Sequence, residues 1–168
     1  MAIKISDIPP EGLTIELADS LDLSGVLTAY TAKLSIMPIG GGSFQITGRV
    51  KSEPALECSR CLKGFNFLVD TDFDFELAPS SSMSSEPEHE LERAELDIGF
   101  YEGEEIDPAD IIREQILLAI PMVPIHSEDC KGLCVVCGTD LNLTDCGCNR
   151  DFKGEMSPFS VLKNILKK

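Results

Sequence analysis

Residues 65–77 carry the clearest pattern in the chain: Phe65, Phe67, Val69, Thr71, Phe73, Phe75 and Leu77 fall on one side, with Asn66, Asp70, Asp72, Asp74 and Glu76 on the other. A period of two with one polar set is the signature of a strand whose sheet has a wet face. Looser alternation over residues 43–50, through Phe44, Ile46 and Val50, predicts a second strand. The β-branched and aromatic content of residues 26–37 predicts a third. Gly40, Gly41 and Gly42 lie between these two segments and read as the turn that joins them. Strands that follow one another with short turns and no helix between them point to an antiparallel sheet or open barrel.

Residues 78–90 combine Pro79, five serines, Pro87 and a rising acid count with little apolar content, so they are expected to form a mobile loop. Leu96, Ile98 and Phe100 alternate again as a short strand, and residues 102–105 lead towards a helix. Asp107 is a suitable N-cap, Pro108 stands where a missing N–H costs nothing, and Asp110 favours the positive end of the helix dipole. Ile111, Ile112, Ile116, Leu117, Leu118, Ala119 and Ile120 cover most of the circumference, which predicts a helix buried on the sheet until Pro121 stops it. Ser157 and Pro158 open a last short helix with Phe159, Leu162, Ile165 and Leu166 on its apolar side. The whole is an α+β chain. Residues 1–125 form an antiparallel sheet or open barrel with one packed helix, 126–150 a zinc-ribbon-like module, and 151–168 a basic helix.

The candidate chemistry is concentrated in sulfur. Five of the seven cysteines form the run Cys130-x3-Cys134-x2-Cys137-Gly138-x7-Cys146-x-Cys148. Thiolates two residues apart, followed by glycine, curl around one ion because the tight turn aims both sulfurs inward. A tetrahedral zinc site needs four ligands; Cys134, Cys137, Cys146 and Cys148 supply two pairs, with Cys130 a rival for either member of the last pair. Cys58-x2-Cys61 lies between two predicted strands with no further ligand near it in sequence. With His126 there are eight potential ligands, and one arrangement is two sites: Cys58, Cys61, Cys130 and His126 in the first, the later four in the second. Against it, a histidine in a proline-bounded loop is more ordinarily a surface residue, and Cys58 and Cys61 are also compatible with plain buried thiols.

A thiol–disulfide oxidoreductase using Cys58 and Cys61 is a competing class, as is a zinc-dependent adaptor. The residues after the pair speak against redox catalysis. Leu62-Lys63-Gly64-Phe65 leads into a strand, so no helix dipole is available to lower a thiol pKa. No phosphate-binding loop, dinucleotide fingerprint or nucleophile elbow occurs, and neither histidine adjoins a serine or cysteine nucleophile, so no catalytic residue is assigned.

Charge narrows the partners. The chain carries 14 basic and 29 acidic residues, a net charge of −15. Eleven acids and one base, Arg93, lie in residues 86–110. The last twenty residues hold Arg150, Lys153, Lys163, Lys167 and Lys168 against Asp151 and Glu155. Such a surface repels phosphate backbones and attracts basic proteins. The start of the chain has no signal-peptide pattern, and the longest apolar stretch, 116–125, is broken by Pro121 and Pro124 and falls short of the roughly 20 residues of a membrane span. A cytoplasmic location is expected, where closely spaced cysteines serve as metal ligands more often than as disulfides.

The block Glu57-Cys58-Ser59-Arg60-Cys61-Leu62, the apolar segment 111–120 stopped by Pro121, and Cys130-Lys131-Gly132-Leu133-Cys134 with Cys137-Gly138 and Asp140-Leu141-Asn142 resemble the YceD family. The resemblance spans about residues 57–148, and Ser157-Pro158-Phe159 with its lysine-ended helix is similar to the family's end. It implies an accessory role in ribosome biogenesis and accumulation of large-subunit ribosomal RNA. Ribosomal proteins or a pre-ribosomal particle are then the expected partners; given the net charge, any direct RNA contact would have to be local, through the basic C-terminus.

Overall fold

The computed structural model describes residues 2–23, 25–82 and 98–148. The expected C-terminal helix and most of the serine- and acid-rich loop lie outside these residues.

Four long or medium strands build the main sheet: β2 (Leu13–Leu23), β3 (Val26–Gly40), β4 (Ser43–Ser52) and β7 (Val69–Pro79). A fifth, β8 (Ile98–Tyr101), completes an open sheet of order β2-β3-β4-β7-β8. The two-residue strands β1 (Ile3–Lys4) and β9 (Glu105–Ile106) pair with each other, so residues 105–106 form a strand where the sequence suggested the approach to a helix.

The alternation holds residue by residue. Ile36 faces Ile46 and Ile46 faces Phe75 across the register, and Leu34, Ile36, Ile46 and Val50 have no exposed surface. The turn between β3 and β4 is Gly41-Gly42, both at positive φ, where glycine bears no Cβ penalty. Strand β2 was not singled out from sequence. Leu13, Ile15, Leu17, Leu21 and Leu23 share one phase, but Asp19 interrupts it opposite Tyr30 at the rim of the core.

Three expectations need correction. The single strand over 65–77 is two strands: β6 (Gly64–Asn66) belongs to a separate two-stranded sheet with β5 (Ala55–Glu57), and β7 begins at Val69. The chain leaves one sheet for the other at Phe67 and Leu68, where the Phe67 N–H donates to the Pro54 carbonyl. The inward phase survives the break, which is why the pattern conceals it. Second, β8 runs parallel to β7, so the sheet is mixed. Third, Ala78 and Pro79 end β7 and Ser80–Ser82 form a 3-10 turn, so the start of the presumed mobile loop is ordered structure.

Helix α1 (Pro108–Ala119) packs against β2, β4 and β7. Asp107 caps it, its carboxylate accepting from the Ala109 N–H at 2.9 Å. Ile111, Ile112 and Ile116 are buried, but Leu117 and Leu118 are exposed, so the helix is apolar around more of its girth than the sheet covers. Among the described residues no helix is long and apolar enough to cross a membrane.

On the outer face of the sheet Asp70 receives the Arg49 Nε at 2.7 Å and lies 3.2 Å from the Lys51 Nζ. The Arg49 hydrogen bond first, and then that of Lys51, hold the Asp70 carboxyl below its ordinary value of 3.8. A carboxyl whose folded pKa is depressed stabilises the fold above its ordinary value and loses that contribution as pH falls through the lowered one. Asp70→Asn should therefore melt below the parent at pH 7, the gap in Tm narrowing and closing once the pH drops below the carboxylate range. A gap that stays constant from pH 7 to pH 2 would show that charge at Asp70 is irrelevant.

Candidate metal centres

Strands β5 and β6 form a hairpin of three facing pairs, Ala55 with Asn66, Leu56 with Phe65 and Glu57 with Gly64. Its turn carries Cys58 and Cys61. The Leu62 N–H donates to the Cys58 carbonyl and the Cys58 N–H to the Lys63 carbonyl, both at 2.9 Å, which curls the two thiols to one side. The turn sets Leu62 at φ +61°, the position that Gly138 fills at φ +74° after the later Cys134-x2-Cys137. Leu62 is exposed, so no packing offsets the strain of a left-handed leucine, of order 1–2 kcal/mol.

Beyond α1 the chain returns to this hairpin. The Ser59 N–H donates to the Pro124 carbonyl at 2.8 Å, and this brings His126 beside Cys61, with Nδ1 3.5 Å from the sulfur. The imidazole and the Phe65 ring meet in a T-shaped contact, centroids 6.5 Å apart. Arg60 reaches across from the turn and donates to the carbonyls of Glu128 (3.3 Å) and Cys130 (3.1 Å). Cys58, Cys61, His126 and Cys130 thus converge, their ligand atoms all within 4.8 Å of one another. The three cysteines are buried together with Phe65, Ile125 and Leu133 packed against them.

Cys134, Cys137, Cys146 and Cys148 form a second group with the same spread. Cys134 is buried, Cys137 exposed, and the last two half-buried. Regular strands are reduced here, among the described residues, to one antiparallel bridge between Leu133 and Asp140. The Cys134 N–H donates to the Thr139 carbonyl and the Gly138 N–H to the Cys134 carbonyl, each at 2.8 Å. The structure therefore separates Cys130 from the later four, a choice the spacing had left open, and sets His126 among sulfurs. Both groups could hold a metal ion.

The donor set suits zinc. Two thiolates on a tetrahedral zinc, each about 2.3 Å from it, stand about 3.8 Å apart. The Cys58 and Cys130 sulfurs are 3.9 Å apart, far beyond a disulfide bond of about 2.05 Å, and all seven cysteines are free. Burial disfavours the Cys58 thiolate, yet hydrogen bonds from His126 and from backbone N–H groups outweigh it and bring the thiol down to about 5. Burial pushes Cys61 up to about 11. In the second group the Thr139 hydroxyl and N–H bring Cys137 to about 6, and hydrogen bonding with Cys137 and Cys146 drives Cys148 to about 12. Packed thiols cannot all ionise together without a cation between them. Each group therefore pairs a ready thiolate with a proton that a divalent ion would displace.

Sequence reasoning did not foresee the polar side chains around the sulfurs. Arg60, Thr139 and Asn142 contact the groups without carrying a ligand atom. Arg60 and Asn142 lie within the blocks that carry the family resemblance, and Thr139 is a polar residue in a short loop between cysteines, but nothing in the spacing says which sulfur each one meets.

These features define an α+β protein whose strand-borne turn and cysteine-rich tail form two ligand tetrads. The sequence model described as "Large ribosomal RNA subunit accumulation protein YceD" matches residues 46–166, and the chain belongs to this family. It is similar to the "Large ribosomal RNA subunit accumulation protein YCED homolog 1, chloroplastic" of Arabidopsis thaliana, 40% identical over 52 residues, 31% of this chain and 16% of that protein. The protein of the same description from Zea mays is 41% identical over 65 residues, 38% of this chain and 21% of that one. The "Large ribosomal RNA subunit accumulation protein YceD" of Haemophilus influenzae is 28% identical over 82 residues, 49% of this chain and 45% of that protein. The chain thus spans less than half the length of each of these relatives. No solved structure matches. The descriptions of the family and of these relatives name accumulation of large-subunit ribosomal RNA.

Proposed function

We propose that the protein is a non-enzymatic, cytoplasmic accessory factor in assembly of the large ribosomal subunit, acting mainly through protein contacts, with two zinc ions holding its cysteine-rich end in shape. Convergence of eight sulfur and imidazole ligands into two tetrads carries the zinc reading. The first ion would sit on Cys58, Cys61, His126 and Cys130, and the second on Cys134, Cys137, Cys146 and Cys148. The ribosomal role rests on the family's descriptions. A net charge of −15 favours basic ribosomal proteins over broad contact with RNA, and leaves local RNA contact to the basic C-terminal segment. Thiol exchange fits less well, because Cys58 has 0% exposure and a nucleophilic sulfur must reach its target.

Tagged protein recovered from cell extract at moderate salt should bring down ribosomal proteins or large-subunit precursors, and nuclease treatment should leave the protein contacts in place. Recovery of neither, together with normal subunit profiles after deletion of the gene, would refute the ribosomal role. Disulfide-reductase turnover by the metal-free protein would favour the oxidoreductase instead.

A further inference from the structure

The two tetrads are not independent knots on a string. Cys130 belongs to the first and Cys134 to the second, and the three residues between them are bonded to both sides. The Leu133 N–H donates to the Arg60 carbonyl inside the Cys58-x2-Cys61 turn at 3.0 Å, while the Gly132 carbonyl accepts from the Leu141 N–H, in the loop between Cys137 and Cys146, also at 3.0 Å. Gly132 lies at φ +72°, and a Cβ there would stand 3.0 Å from the Arg60 carbonyl oxygen, so the approach is as close as the backbones allow.

Asn142 spans this joint. It is anchored in the second loop, its N–H and Nδ2 both donating to the Asp140 carboxylate, at 2.9 and 2.7 Å. Its Oδ1 accepts from the Lys131 N–H at 2.8 Å, and its Nδ2 also approaches the Cys130 sulfur at 3.6 Å. One side chain thus belongs to the loop of one tetrad and serves a ligand of the other.

We propose that Asn142 is a positioning residue that couples the two metal centres, so that filling one strengthens the other. The inference rests on the zinc reading above. An ion on the second tetrad orders residues 134–148 and with them the Asn142 amide, which then donates to the Cys130 thiolate and fixes the Lys131 backbone. Withdrawing charge from a ligand sulfur and fixing its approach is how groups beyond the ligands tune metal affinity, typically 10- to 100-fold. Linkage makes the effect mutual: whatever the second ion contributes to the first site, the first contributes to the second.

The test loads the full chain with cobalt(II), whose visible spectrum differs between an all-thiolate site and one with an imidazole, and titrates each site out with EDTA. In the parent, Cys58→Ser should weaken the all-thiolate site by about tenfold, although none of its ligands is touched. In an Asn142→Ala background the same change should have little further effect on that site. Asn142→Ser, which leaves a short hydroxyl in the turn but nothing that spans to Cys130, should behave as Asn142→Ala does and guards against a variant that fails to fold. Unchanged release from the all-thiolate site in Cys58→Ser, or equal weakening with and without Asn142, would overturn the coupling while two bound ions upheld the metal sites. A parent chain that binds fewer than two cobalt ions would overturn the zinc reading and this inference with it.

Discussion

Serine in place of Cys58 is expected to lower bound zinc from two equivalents per chain to one and to release the β5–β6 hairpin from the segment that carries His126 and Cys130. The hydroxyl does not ionise near neutral pH, so the tetrad is left with three ligands at a position without exposed surface. Structural zinc in small modules contributes an apparent ~10–16 kcal/mol, and that binding energy is folding energy. A ladder of three facing pairs has little of its own to set against the loss. Metal analysis of the purified variant reads the stoichiometry, and limited proteolysis around residues 58–64 reads the hairpin. Two retained equivalents would remove Cys58 from the ligand set. Acid should act in the same direction. With Cys61 at about 11, the metal-free tetrad holds at least one proton at pH 7, so binding expels it and affinity falls as pH drops.

The second large effect belongs to the main core. Ile112 has 0% exposure on the face of α1 that meets the sheet, and shortening it to alanine removes three carbons from a site with no solvent to fill the space. A loss of about 2–5 kcal/mol is expected, against total stabilities of about 5–15 kcal/mol for ordinary domains. Denaturant unfolding at constant zinc should show the midpoint shifted to lower concentration with the slope unchanged. Because the tetrads lie outside this cluster, the metal content of the folded fraction should stay at the parent's value. A cost under 1 kcal/mol would mean that α1 rests on the sheet more loosely than its burial indicates. Leu118 provides the contrast: it is 71% exposed, so Leu118→Ala should change stability little.

How much of the molecule is legible in the chain alone depends on the range of the interactions involved. Alternation reports which way a side chain faces, and it placed the inward residues of β4 and β7 correctly, whereas β3 was marked only by its β-branched and aromatic content. It does not report which strand lies alongside, so the transfer between sheets at Phe67–Leu68 and the parallel pairing of β8 stayed hidden. The start of α1 was legible because a cap is local: Asp107, Pro108 and Asp110 act within one turn. Exposure of Leu117 and Leu118 was not, since it depends on how wide a sheet the helix covers. Among the cysteines, spacing identified the close pairs and offered Cys58, Cys61, Cys130 and His126 as one arrangement, but the choice of that arrangement over its rivals depends on the chain after α1 bringing residues 124–130 back to the hairpin.

That dependence bears on the order in which the molecule assembles. The second tetrad draws its ligands from residues 134–148, a stretch short enough to close with little loss of chain entropy. Cys58 and Cys130 are 72 residues apart, and the sheet and helix must be in place before they meet. During synthesis the late, local site is therefore expected to capture its ion on a largely unformed neighbour, while the long-range site acts as a final latch that engages only on a correctly folded body.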